Sequence, residues 1–368
     1  MNVLFITNSI GYGGAEKIMN FLTNQLCSEN NNVTILNLNR VPQYVGNITQ
    51  NLNPAITTIT LANYIKNKNL RYLKSILNII KDYDIDVMIT FTMFPNFYGK
   101  VASMISGIPS IMSERGDPNK TFTNGLKDRI MKFFINRCSG AVFQTEGAAS
   151  FYHKRLRKRS VIIPNPIKSE INIRHCTNTE REKSVVFVGR IENHSKRLDI
   201  LLKAFKEFSL SHSDYVLKIF GSGEIDFVNN LINSLNLKDK VKLMGAVKDP
   251  TKLIINDGIF ALTSDYEGIP NALLEAMAIG MPVVSTDCTP GGAKLLIKNR
   301  ENGLLVPKGD IEKVADAFRE FADNPDLAQK CGNNAQEVKE KFASERIGKE
   351  WINYIEKIVH SKLKHNNI

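Results

Sequence analysis

Cysteine is scarce and poorly placed for staples: the 368 residues hold five, at 27, 138, 176, 288 and 331, with no Cys-x-x-Cys pair. The odd number and the spacing exclude a disulfide framework and a zinc knuckle, and a reducing cytoplasm fits. Tryptophan occurs once. No run reaches 18 apolar residues, and the opening Met1-Asn2-Val3-Leu4-Phe5-Ile6-Thr7 has no basic leader. Neither a spanning helix nor a signal peptide is expected, which leaves a cytoplasmic protein able to work at the inner face of the cell membrane. The six histidines, at 153, 175, 194, 212, 360 and 365, show no ligand spacing, so no metal and no other cofactor is expected. Short repeats and low-complexity segments are also missing. What remains is ordinary globular material, 43 % hydrophobic and 23 % charged, long enough for about two domains of roughly 100 to 200 residues each.

Acidic residues are under-represented in one half only. Residues 1–170 carry 20 Lys and Arg against 10 Asp and Glu, whereas the remainder carries 28 against 27. Nearly all of the +11 net charge therefore belongs to the first half, which points to an anionic partner: nucleic acid, an anionic membrane or a phosphorylated ligand. Two segments hold much of it, His153-Lys154-Arg155-Leu156-Arg157-Lys158-Arg159 and the amphipathic 127–137. The second suits either anionic lipid or a core-facing helix with a solvated side. Nucleic acid is the weaker reading, because no aromatic-interleaved groove or reading helix accompanies the charge.

Apolar runs at 3–7, 32–38, 87–91, 110–113, 141–144 and 161–163 alternate with helical patterns, as in a parallel sheet covered on both faces. A polar segment over 168–183 reads as an interdomain connection. The alternation then restarts, with strands at 184–188, 215–220, 241–244, 258–263 and 282–286 and helices at 198–210, 225–235 and from about 271. This predicts a second doubly wound domain. The tail 343–363 is helical by pattern, with Ile347, Trp351, Ile352, Ile355, Ile358 and Val359 able to share one face.

The segment 261–282 carries the strongest chemistry. A buried strand ends at Thr263, a polar loop bears Glu267 and Gly268, and Pro270 stands where a helix begins that Gly280 and Pro282 close. Backbone N–H groups at such a start favour an anion. Glu275 then lies roughly 7 to 8 Å along the helix axis from its start. Two carboxylates displaced about an anion site suit an elongated ligand with hydroxyls at both ends and a diphosphate between, which is the shape of a nucleotide-sugar. Arg190, just past the strand 184–188, and Lys196, with Arg197 as its neighbour and substitute, supply cations for a diphosphate.

The Glu267-x7-Glu275 segment, with Val188-Gly189-Arg190, Lys196, Phe220-Gly221-Ser222-Gly223 and Pro290-Gly291-Gly292, resembles the retaining GT-B glycosyltransferases of family GT4, from Gly11 to about Pro307. That group includes bacterial capsule, exopolysaccharide and lipopolysaccharide sugar transferases. The resemblance implies an α/β fold of two Rossmann-like doubly wound domains facing a central cleft. Residues 1–170 would bind the acceptor and 183–346 the nucleotide-sugar, with the helix 347–368 crossing back to the first domain. It implies a hexosyl- or N-acetylhexosaminyltransferase using a UDP-sugar and a carbohydrate acceptor, possible carriers including undecaprenyl diphosphate. Its donor site would be Gly13, Gly14, Arg190, Lys196, Gly221, Glu267, Gly268, Ile269, Pro270, Asn271, Leu274 and Glu275, with Glu267, Arg190, Lys196 and Glu114 catalytic.

Ser113-Glu114-Arg115 departs from the many relatives that carry His at the position of Glu114, and resembles a polysaccharide-transferase subset. Glu114 or Arg115 can orient donor or acceptor, or form a structural ion pair, and Asn165 belongs to the same side. Asp82-Tyr83-Asp84-Ile85-Asp86 contains an Asp-x-Asp but reads as a helix-strand connection. Two other readings stand beside transfer: a nucleotide-sugar epimerase of related fold, and a non-catalytic nucleotide-sugar-binding partner subunit.

Overall fold

A computed structural model describes residues 1–8, 10, 14–38, 52–61, 68–122, 125–167 and 181–366. The chain divides into two compact units, Met1–Pro166 with Glu345–Ile368, and Ile167–Ser344. In the first, β1 (Asn2–Thr7), β2 (Asn32–Asn37), β3 (Thr57–Thr60), β4 (Val87–Phe91), β5 (Ser110–Glu114), β6 (Gly140–Phe143) and β7 (Ser160–Ile162) form one sheet in the order β3-β2-β1-β4-β5-β6-β7. Every pairing is parallel.

Such a sheet is covered on both faces, so its strands are apolar throughout. Val3 and Phe5 of β1 face one layer, with Ile18, Met19 and Leu22 of the helix Gly14–Ser28 and with the C-terminal helix Ser344–Asn366. Leu4 and Ile6 face the other, with Ile76 and Ile80 of the helix Lys68–Asp82 and Tyr98 and Ala102 of the helix Met93–Ser106. The C-terminal helix buries Ile347, Trp351, Ile352, Tyr354 and Ile355. Tyr354 Oη accepts from the amide of Ala141 at 2.8 Å and donates to the carbonyl of Arg159. The close fit requires Gly140, because a Cβ there would lie 2.4 Å from Tyr354 Oη.

The second unit repeats the plan with β8 (Ser184–Val188), β9 (Val216–Phe220), β10 (Val241–Gly245), β11 (Ile259–Leu262), β12 (Val283–Thr286) and β13 (Leu304–Val306), parallel and ordered β10-β9-β8-β11-β12-β13. Strand order reverses between β8 and β11, and open sheets of this kind take ligands at the carboxyl ends of the strands flanking such a point. The apolar pattern did not foresee β3 or β13. Most of the expected connection at 168–183 lies outside the described residues. The Asp-x-Asp segment joins the helix Lys68–Asp82 to β4, with the Asp86 carboxylate accepting from the amide of Asn2 at 2.7 Å. Among the described residues, no helix is long and apolar enough to cross a membrane, and no group of three or more His, Cys, Asp or Glu is placed to hold a metal ion.

Candidate active site

The loops leaving β8 and β9 run side by side at the switch point of the second unit. The amide of Gly189 bonds the carbonyl of Phe220 at 3.0 Å, and that of Ile191 bonds Ser222 at 2.8 Å. Only glycine fits at Gly221, where a Cβ would stand 1.9 Å from the carbonyl of Gly189. A short helix, Asn193–Lys196, follows and ends on Arg197 in the left-handed region at φ 52° and ψ 51°. For a residue with a Cβ that conformation costs roughly 1 to 2 kcal/mol.

Three partners hold it, one local and two from the segment after β11. Arg197 grips Asp199 through Nε and Nη2 at 2.9 and 3.0 Å, and its Nη1 reaches Asp265 at 3.0 Å. These bonds raise the Arg197 pKa, the Asp199 hydrogen bond most of all. The hydroxyl of Thr263 donates to the carbonyls of Lys196 and Arg197, each at 3.1 Å. Arg197 is therefore engaged by two carboxylates, and Lys196 turns to Glu267 instead.

Lys196 Nζ donates to Glu267 Oε1, which also accepts from Ser264 Oγ at 3.0 Å. Both members of the ion pair are mostly buried, with side chains 14 % and 15 % exposed. The amide of Glu267 bonds the carbonyl of Thr289 at 2.7 Å, pinning the loop to the turn that precedes Gly291-Gly292. A Cβ on Gly292 would fall 1.5 Å from the carbonyl of Gly268, so that contact also demands glycine. Cys288 lies beside the pair, but burial above all, then the Glu267 charge, pushes its thiol up to about 12; it is no nucleophile at neutral pH.

The helix Asn271–Ala278 opens on Pro270, which provides no side-chain cap. Glu275 is half-buried on it, and its carboxylate has no hydrogen bond or ion pair among the described residues. Ile269 and Leu274 are 5 % and 1 % exposed and pack in the core, so their side chains seat the helix. Arg190 stands apart from Lys196 in exposure, 78 % open and ion-paired with Glu192 at 3.4 Å. Sequence reasoning missed Asp199, Asp265 and the contact of Tyr266 Oη with the His194 ring at 2.6 Å. The run of polar residues after β11 was the available signal for two of them.

In the first unit, Glu114 ends β5 and is 5 % exposed. Its Oε2 accepts from Tyr152 Oη at 2.7 Å, and its Oε1 accepts from the amides of Arg115 and Gly116 at 3.1 and 3.3 Å. Burial raises its pKa against these bonds and against the Arg115 charge. Arg115 donates from Nε to Ser113 Oγ at 2.8 Å and from Nη1 to the carbonyl of Ile163 at 3.3 Å and Asn165 Oδ1 at 3.4 Å. Burial lowers it to about 9. Asn165 also accepts from Gln144. Glu114 and Arg115 are thus not a direct side-chain ion pair. Gly14 begins the helix Gly14–Ser28, whereas Gly13 lies outside the described residues.

Two family models tile the chain: Glycosyltransferase Family 4 over residues 12–170 and Glycosyl transferases group 1 over residues 169–338. The chain belongs to the GT4-type glycosyltransferases and has the GT-B fold of two Rossmann-like domains. An uncharacterized glycosyltransferase of Haemophilus influenzae is 25 % identical over 353 residues, covering 94 % of this chain and 97 % of its own length. The Campylobacter jejuni GalNAc-alpha-(1->4)-GalNAc-alpha-(1->3)-diNAcBac-PP-undecaprenol alpha-1,4-N-acetyl-D-galactosaminyltransferase is 26 % identical over 371 residues, covering 97 % and 99 %. Among solved structures, Anabaena HepE in complex with UDP superposes with a TM-score of 0.83 at 18 % identity, covering 97 % of this chain and 100 % of that one.

Proposed function

We propose that the protein moves a sugar from a UDP-sugar, with retention of anomeric configuration, to a carbohydrate hydroxyl of a lipid-linked glycan in surface-polysaccharide synthesis. One observation carries this reading: Lys196 and Glu267 meet at the switch point of the second unit, beside a helix with no capping side chain and a Glu275 without a partner among the described residues. The diphosphate takes the backbone N–H groups of the Gly268 loop and of the helix turn that follows Pro270, together with the Lys196 ammonium, and Arg190 adds its charge. Glu267 accepts sugar hydroxyls and faces the positive charge that develops at the anomeric carbon. Glu275 accepts from ribose hydroxyls. Gly221 keeps the neighbouring loop close. Glu114, Arg115 and Asn165 serve the acceptor side. The anomeric C–O bond breaks with its electron pair leaving on the UDP diphosphate, while the acceptor oxygen bonds to that carbon and its proton passes to the departing diphosphate oxygen.

Lipid linkage is supported by a basic and apolar surface on the first unit. The helix Leu126–Ile135 exposes Leu126, Ile130 and Phe133 beside Lys127, Arg129 and Lys132. The second basic cluster adjoins it, because the amide of His153 donates to Asn136 Oδ1 at 2.8 Å. The Campylobacter relative is itself named for an undecaprenol-linked glycan.

The test is incubation of the purified protein with UDP-glucose, UDP-galactose and their N-acetylamino forms, together with an undecaprenyl-diphosphate-linked N-acetylhexosamine. Release of UDP with an extended glycan is expected, and a folded Glu267→Ala protein should lose about a hundredfold in rate. Full transfer by that variant removes the assigned role. Epimerised sugar nucleotide from donor alone would favour the epimerase, and donor binding without transfer would favour the partner subunit.

A further inference from the structure

The Arg115 guanidinium lies against two aromatic faces, with Cζ 5.0 Å from the ring centroid of Trp351 and 5.9 Å from that of Phe91. Its three hydrogen-bond acceptors, on Ser113, Ile163 and Asn165, are all neutral. Among the described residues, Nη2 has no hydrogen-bond partner and no carboxylate pairs with the side chain. The neighbouring Glu114 charge acts on the guanidinium without a direct bond, its direct acceptors are neutral, and the aromatic contacts add to what holds it in place. Trp351, on the C-terminal helix, is fully buried, and its own Nε1 has no partner among the described residues either. The indole therefore offers Arg115 a ring face and no competing hydrogen bond.

Glu114 is held in turn by the backbone that Arg115 anchors. Two of its three acceptor bonds come from the amides of Arg115 and Gly116, and the third partner is Tyr152 Oη. The charged and titratable groups acting on Glu114 are Tyr152 and Arg115, with Cys138 acting on Tyr152 behind it.

We propose that Trp351 is a positioning residue for Glu114, acting through Arg115, so that the C-terminal helix belongs to the reaction apparatus of the first unit. This rests on the reading of Glu114 as a contact of the reacting ligands. The indole and the Phe91 ring fix the guanidinium, and the guanidinium fixes both the loop that cradles the carboxylate and the positive field upon it.

The experiment is a carboxyl-carbon NMR titration of Glu114, its resonance assigned by Glu114→Gln, in the wild type, Trp351→Leu, Trp351→Phe and Arg115→Lys proteins. Trp351→Leu should raise the Glu114 midpoint by about one pH unit, and Trp351→Phe, which keeps a ring, should restore most of it. Because Trp351 is the only tryptophan, its emission reports the stack directly and should change in Arg115→Lys. In the transfer assay Trp351→Leu should lower kcat about tenfold with the KM for the UDP-sugar unchanged. Should Trp351→Leu not fold, the Arg115→Lys titration and emission decide the matter. A midpoint and kcat unmoved in folded Trp351→Leu, or in Arg115→Lys, overturn the proposal. If Glu114→Gln keeps full transfer while the midpoints shift as stated, the role given to Glu114 fails and the positioning geometry stands.

Discussion

At the scale of residues, the choice between Lys196 and Arg197 is made by geometry that the sequence spacing leaves open. Adjacent cations are interchangeable in a pattern, but Asp199 and Asp265 engage Arg197, and its left-handed backbone turns Lys196 the other way. The placement of Glu267 on a loop and Glu275 on the helix after it was legible because Pro270 and Gly280 mark that helix's ends. The Asp265 contact was not, because it joins positions 68 apart in the chain. Lys196→Ala should leave the Glu267 carboxylate mostly buried without its ion partner, which costs about 3 to 5 kcal/mol for a fully buried pair and less at 15 % exposure. Urea unfolding measures the loss, and Lys196→Ala/Glu267→Gln should recover part of it. Glu114 gives a pH prediction. Burial raises its folded pKa above the ordinary 4.5, so the folded state binds the proton more tightly. Stability from this group then falls as pH rises through the window above 4.5. Relative to wild type, Glu114→Gln should gain stability in urea midpoints as pH rises above 4.5; an unchanging difference would contradict the assignment.

At the scale of elements, two close approaches set the site and its support. The turn at Gly291-Gly292 meets the loop carrying Glu267 with no room for a methyl group. Gly292→Ala should destabilise the protein by about 1 to 3 kcal/mol or more and weaken nucleotide binding in parallel, read by denaturant unfolding and calorimetry. Gly140→Ala should instead displace Tyr354 and loosen the C-terminal helix, leaving nucleotide binding by the second unit unchanged. Most strands were legible as short apolar runs between turn residues. β3 was not, because it has four residues, three of them exposed, and no apolar run marks it despite its β-branched Thr and Ile. β13, of three residues, is too short to establish a period. The apolar face of the C-terminal helix was visible at helical spacing, whereas the aromatic face it offers Arg115 depends on a strand more than 200 positions away.

At the scale of the whole molecule, charge and exposed apolar surface coincide on the first unit. Leu126, Ile130 and Phe133 are 75 %, 47 % and 53 % exposed among cations. The protein should sediment with phosphatidylglycerol vesicles at low salt, and each basic residue near an anionic surface contributes about 1 kcal/mol. Changing those three apolar residues to Ser should weaken sedimentation without lowering the thermal midpoint; equal sedimentation with phosphatidylcholine would contradict an electrostatic component. Charge asymmetry was readable from composition, but the junction of two basic segments through Asn136 and His153 was not. The central claim is that a nucleotide diphosphate binds where the helix Asn271–Ala278 opens, beside Lys196 and Glu275. Calorimetric titration of UDP into the wild type, Lys196→Ala and Glu275→Gln proteins tests it most directly. Saturable binding by the wild type, weakened about tenfold or more in each folded variant, is predicted; absence of UDP binding, or affinity unchanged in both variants, would contradict the account.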